Sequence, residues 1–225
     1  ALGTSSADIW NNYLHENSLF QQIDANQKHY WVSMFSEKET KQLSEVILSD
    51  SKYKHLDKSV VMAILVARKC FENSRFSDKN VGINFGSSRG ATSLFEKHHS
   101  DFISDGFVST FTSPSTTLGN ISSWVAHDLK NNGPEISHSI TCSTGLHAVL
   151  NAVAWLQSGM ASKFLVGGSE APLTAFTIAQ MNALKIYSKE ALRQAQCDNS
   201  KSIANNENEC QSELACADEG SKDLF

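Results

Sequence analysis

The stretch Ser139-Ile140-Thr141-Cys142-Ser143-Thr144-Gly145-Leu146-His147-Ala148 decides how this chain reads. Residues 136–141 place Ile136, His138 and Ile140 on one side, which predicts a short strand. Beyond Cys142, Leu146, Val149, Leu150, Val153 and Leu156 recur at helical spacing until Gly159. These five are expected to form the apolar face of that helix. A cysteine therefore stands where a strand turns into a helix. A helix N-terminus carries roughly half a positive charge and several unpaired N–H groups. That field favours a thiolate, and the same N–H groups can hold an oxyanion formed on an attacked thioester carbonyl. Ser143, Thr144 and Gly145 are small and leave room for an acyl group beside the sulfur. A buried structural cysteine is the alternative at such a position. His147 lies five residues along, about 500° around the helix and so about 140° from Cys142. It reads as a helix residue rather than as a base for the thiol.

Outward from this junction, strands at 81–86 and 163–168 alternate with helices. A helix is expected over residues 7–16, capped by Ser5 or Ser6. A second runs from the capping box Ser36–Glu39 to about Leu48. The run Val60-Val61-Met62-Ala63-Ile64-Leu65-Val66-Ala67, preceded by Asp57 or Ser59, predicts a helix buried nearly all round. Residues 91–99 read as a helix and 101–114 as a loop. Leu118, Ile121, Val125 and Leu129 mark a further helix, stopped by Asn131-Asn132-Gly133-Pro134, and another is expected over 174–184. Strands alternating with helices predict an α/β domain with a mainly parallel sheet and helices on both faces.

The chain has 225 residues, 19 Lys plus Arg against 24 Asp plus Glu, and a net charge of −5. That balance argues against a nucleic-acid partner, which calls for a basic patch. The longest apolar run, residues 60–67, falls short of the roughly 20 residues of a membrane helix, so no membrane association is expected. The opening Ala1-Leu2-Gly3-Thr4 does not read as a signal peptide. Five cysteines, an odd number, fit a reducing cytoplasm better than a disulfide framework. Residues 192–225 carry seven acidic and three basic residues, and Phe225 is their only aromatic. This segment reads as an acidic, weakly ordered tail, distinct from a domain over 1–191. Cys197, Cys210 and Cys216 lie in it without the Cys-x-x-Cys pairing of a zinc site. Neither a metal nor a cofactor is expected.

The Thr-Cys-Ser-Thr-Gly junction resembles the active-site segment of β-ketoacyl synthases of the elongating type. Several other stretches are similar to that family in the same order. They are Ala1-Leu2-Gly3-Thr4-Ser5 with Ile9-Trp10, Gly86-Ser87-Ser88-Arg89-Gly90-Ala91-Thr92, Leu118-Gly119-Asn120 through Gly133-Pro134-Glu135, Val166-Gly167-Gly168-Ser169-Glu170-Ala171, and Met181-Asn182-Ala183-Leu184. The resemblance covers residues 1–188. It implies the N-terminal half of a thiolase-like αβαβα fold, with a mainly parallel five-stranded sheet and the family's opening strand missing before Ala1. It also implies that Cys142 takes an acyl group from an acyl carrier protein or a coenzyme A thioester. Decarboxylation of a malonyl thioester would then drive a Claisen condensation in fatty-acid or polyketide synthesis. The family's two histidines and lysine-bearing segment belong to its second half. They have no counterpart here, and no histidine follows His147. Condensation by this half alone is therefore not expected. The resemblance also implies a homodimer or heterodimer through the strand 136–141.

Other chemistry competes. Gly86-Ser87-Ser88-Arg89-Gly90 is a literal Gly-x-Ser-x-Gly between a strand and a helix, the setting of a hydrolase nucleophile. Asp105 or Asp128 followed by His138 or His147 would complete the order Ser, Asp, His around Ser88. A non-catalytic partner subunit of a condensing enzyme is the third reading.

Overall fold

The computed structural model describes residues 2–15, 19–25, 28–74, 79–118 and 120–186. Its contacts divide the chain into two units, residues 35–177 and residues 1–34 with 178–225.

In the first unit β3 (Gly82–Gly86) is the centre of a three-stranded parallel sheet. β4 (Glu135–His138) lies on one side and β5 (Phe164–Gly168) on the other, with Gly86 opposite both His138 and Gly168. Every residue of β3 is buried, as expected for a strand covered on both faces. Ile83 and Phe85 face one way and join a core with α3 (Lys58–Asn73) and α6 (Asn120–Leu129). Asn84 faces the other way, where its Nδ2 donates to the carbonyl of Ala148 at 3.1 Å. Ala148 belongs to α7 (Thr144–Gln157), so helices cover both faces, as the alternation predicted. Among the described residues the sheet has three strands. No further strand of this sheet is described beyond β5.

Side-chain hydrogen bonds fix these elements locally. α2 (Glu37–Ser49) begins with the capping box: the Ser36 N–H donates to Glu39 Oε2 at 2.7 Å, and the Glu39 N–H donates to Ser36 Oγ at 3.3 Å. Asp57 caps α3 by accepting from the Ser59 N–H at 2.8 Å and its hydroxyl at 2.6 Å. In the first turn of α6, Ser122 Oγ accepts from the Phe85 N–H at 2.8 Å and donates to the Ile136 carbonyl at 2.6 Å. That serine stitches the helix to β3 and β4 together. Asn131 extends β3: its Oδ1 accepts from the Val81 N–H at 3.1 Å and its Nδ2 donates to the Val81 carbonyl at 2.7 Å. Gly133 is required just beyond, because a Cβ there would stand 2.6 Å from the Val81 carbonyl carbon. A 3-10 turn, Ser51–His55, brings Tyr53 onto α6, where its hydroxyl donates to Asp128 at 2.6 Å. Arg68 on α3 donates to the other oxygen of Asp128 through Nε at 2.8 Å. Burial, and then the bond to Asp128, push the Tyr53 hydroxyl up to about 12.

Several expectations need correction. α3 is not buried all round: Val60, Val61, Ala63, Ile64 and Ala67 are inside, but Val66 is 50% exposed. The expected loop at 101–114 is partly helical, because α4 (Thr92–Asp105) continues past residue 99 to a left-handed Gly106 and α5 (Thr112–Thr116) follows. The strand expected over 136–141 ends at His138, and Thr141 beyond it adopts φ 47°. The largest departure is α7. Its buried residues are Thr144, Ala148 and Ala152, while Leu146, Val149, Leu150, Val153 and Leu156 all face solvent, Leu146 at 76% exposure. Period 3.6 marked an apolar stripe correctly. The sheet took the small-residue face instead, because Ala and Thr let the helix backbone approach β3 and β5 closely.

In the second unit, Ser5 caps α1 (Ser6–Leu14), accepting from the Asp8 N–H at 3.1 Å. β1 (Gln21–Ala25) and β2 (Lys28–Val32) form an antiparallel pair with Ile23 opposite Tyr30, a hairpin that the hydrophobic pattern alone does not predict. Tyr30 and Val32 pack with Ile178 of α8 (Ala175–Ala183). The expected tail at 192–225, with Cys197, Cys210 and Cys216, lies outside the described residues.

Candidate active site

The three parallel strands end together at Gly86, His138 and Gly168, and the chain from β4 turns there into α7. Clefts at the carboxyl ends of parallel strands are where α/β folds place ligands. Cys142 occupies this turn. It is exposed, carries a free thiol, and sits one residue ahead of the helix cap Ser143. The sequence expectation of a cysteine at the strand–helix join therefore agrees with its position.

Thr144 shapes the turn. Its Oγ1 accepts from the Ile140 N–H at 2.9 Å and donates to the Thr141 carbonyl at 2.6 Å, while Ser143 Oγ donates to the Ile140 carbonyl at 3.0 Å. These bonds clamp residues 140–144 and hold Thr141 in its left-handed conformation, a region most non-glycine residues avoid. Gly86 makes the clamp possible, since a Cβ there would collide with the Thr144 methyl group. The amides of Gly145 and Leu146, the second and third of the helix, meet no acceptor among the described residues. Unpaired first-turn N–H groups are able to donate to an anion.

A second layer of contacts supports the turn. His138 places Nδ1 3.0 Å from Asn84 Oδ1 and Nε2 3.0 Å from the Thr144 carbonyl, tying β3, β4 and α7 together. Ser139 Oγ donates to the Ser88 carbonyl at 3.2 Å. Glu170, just past β5, gathers the loop after β3. Its Oε1 accepts from Ser87 Oγ at 2.8 Å, from the Ser88 N–H, and from the Arg89 N–H at 3.4 Å. Sequence reasoning missed Thr144, His138 and Glu170 as supports. The signals for His138 and Glu170 were a histidine at the last position of β4 and an acid two residues beyond the Gly-Gly end of β5.

The serine-hydrolase constellation does not come together. His138 is engaged with Asn84 and Thr144, and His147 Nδ1 lies 3.1 Å from the Ser143 carbonyl of its own helix. Asp128 is held by Arg68 and Tyr53, and Asp105 ends α4 in solvent. None of the four is hydrogen-bonded to Ser88. Its loop instead leans on Glu170. Among the described residues no group of three His, Cys, Asp or Glu side chains could hold a metal ion, and no helix is long and apolar enough to cross a membrane.

The family model described as "Beta-ketoacyl synthase, N-terminal domain" matches residues 2–205. Nodulation protein E of Rhizobium leguminosarum bv. trifolii is 24% identical over 204 residues, covering 88% of this chain and 51% of that protein. The 3-oxoacyl-[acyl-carrier-protein] synthase 2 of Staphylococcus aureus is 28% identical over 142 residues, 60% of this chain and 35% of that protein. The chain thus spans about half, or less, of the length of these relatives. Among solved structures, a beta-ketoacyl synthase from Burkholderia phymatum STM815 shares the fold with a TM-score of 0.62 at 15% identity, over 84% of this chain and 48% of that one. The ishigamide ketosynthase/chain length factor gives 0.55 at 19% identity, over 68% and 43%. With its α/β fold, its parallel sheet and the family model spanning residues 2–205, the chain belongs to the beta-ketoacyl synthase family through that family's N-terminal domain.

Proposed function

We propose that Cys142 accepts an acyl group from a thioester of an acyl carrier protein or coenzyme A, as the first step of a β-ketoacyl synthase reaction. The observation that carries this reading is the exposed Cys142 thiol one residue ahead of the α7 cap, at the helix end where the amides of Gly145 and Leu146 meet no acceptor among the described residues. The Cys142 sulfur attacks the thioester carbonyl, and the amides receive the negative charge on its oxygen. As the intermediate collapses, the carrier's C–S bond breaks, and the carrier thiol leaves with the proton that Cys142 gave up. The acyl group remains on Cys142, splitting one difficult step into two easier ones. In the second step a malonyl thioester loses carbon dioxide. The electron pair left on its α-carbon attacks the acyl carbonyl, forming a C–C bond and releasing the Cys142 thiolate.

The second step needs groups that stabilise the enolate, and this chain offers no histidine after His147 for that role. The 225-residue chain is accordingly expected to acylate without condensing. Whole-protein mass spectrometry after incubation with an acyl-carrier thioester should show one added acyl group, absent from Cys142→Ala. Identical spectra from both proteins would refute the assignment, and release of a β-ketoacyl product by this chain would refute the division of labour. β4 is an edge strand, unpaired on its outer side among the described residues, which supports pairing with a second subunit there. Sedimentation as a clean monomer would remove that part of the reading.

A further inference from the structure

A cavity of about 540 Å³ lies where the Ser51–His55 turn faces α5 and α6. It shares no lining residue with the Cys142 turn, so a ligand bound there is independent of the acyl-transfer reading. Leu56, Phe111, Pro114 and Trp124 supply an apolar lining, with Lys52 and Lys54 beside it. The lining is braced. Trp124 stands edge-on to Tyr53 at 5.9 Å between ring centres, and Tyr53 is itself tied to Asp128. The His55 ring lies flat on Phe111, 4.6 Å between centres and 3° from parallel.

The charge around the cavity is uncompensated. Lys52 and Lys54 are exposed, and neither forms an ion pair among the described residues. Of the nearest acids in sequence, Asp50 accepts from the backbone N–H of Lys52 at 2.9 Å, and Asp57 is buried and accepts from Ser59. Asp128, behind the wall, is already matched by Arg68. Small-molecule sites are typically about 300–1,000 Å³, mostly apolar, with a few polar groups that fix orientation. We propose that this cavity binds an anionic amphiphile, its apolar body against Phe111 and Trp124 and its acidic end toward Lys52 and Lys54.

The test uses decanoate, titrated into the full chain by calorimetry, with decanol and decyltrimethylammonium as neutral and cationic probes of equal chain length. Saturable decanoate binding is expected. It should weaken roughly two- to thirtyfold in the double variant Lys52→Gln/Lys54→Gln, the range for two exposed charge pairs. Decanol should bind more weakly than decanoate by a similar factor, and Phe111→Ala should weaken both. The lysines and Phe111 are exposed, so these variants are expected to keep the circular-dichroism spectrum of the parent. Absence of decanoate binding overturns the proposal, as does equal affinity for all three probes or indifference to Phe111→Ala. Failure to bind decanoate alongside capture of an acidic protein through the same lysines also overturns it, in favour of a macromolecular partner.

Discussion

α3 and α7 cover opposite faces of one sheet, each with an exposed cysteine, Cys70 near the end of α3 and Cys142 just ahead of α7. They pack by different rules. α3 buries Val60, Val61 and Ile64 in a core shared with Leu43, Val46 and Val125. α7 buries only small side chains and turns its leucines and valines outward. The amino end of α7 therefore sits tight on Gly86 and Gly168, where a Gly145 Cα lies 3.6 Å from the Cβ position of Gly168. Thus α3 serves stability, whereas α7 serves placement: its close approach fixes the turn that carries Cys142.

Substitutions on the two helices should separate these roles. The largest stability loss is expected from Ile64→Ala, about 2–5 kcal/mol in urea unfolding, because the residue is fully buried and leaves a cavity. Ala148→Leu should cost about 1–3 kcal/mol by overpacking the α7–sheet contact. If it costs nothing, the close approach of α7 is not a constraint. A pH series isolates the α3 side. The hydroxyl of Tyr53 is held up to about 12, above the unfolded value of about 10. Its contribution is thus complete below about pH 10 and lost as pH rises through about 12. Stability of the parent should fall more steeply over that window than stability of Tyr53→Phe, and parallel curves would contradict the assignment. Leu150→Ser on the outer face of α7 is expected to change stability least, within about 0.5 kcal/mol. A loss comparable to Ile64→Ala would show that this face is covered in solution.

Much of this was legible in the sequence because local chemistry alone fixed it. Ser36 with Glu39 specified a helix start, Asn131 through Pro134 a stop, and the cysteine at the strand–helix join its own place in the turn. What was not legible depends on partners far along the chain. Nothing local tells whether Leu150 or Ala148 meets the sheet, since that choice rests on Gly86 and Gly168, at the ends of two other elements. The β1–β2 hairpin escaped because its strands are short, β1 is mostly polar, and its packing relies on Ile178, more than a hundred residues away. The clamp around Thr144 escaped for the same reason: its space is made by a glycine on another strand.

If the amino end of α7, and not exposure alone, makes Cys142 the acyl acceptor, the exposed thiols of Cys142 and Cys70 must differ in reactivity. Peptide mapping of all five cysteines after brief exposure of the full chain to an acyl-carrier thioester tests this directly. The acyl group is expected on Cys142 and not on Cys70, although both thiols are exposed. Equal labelling of the two, or preference for Cys70, would contradict the assignment.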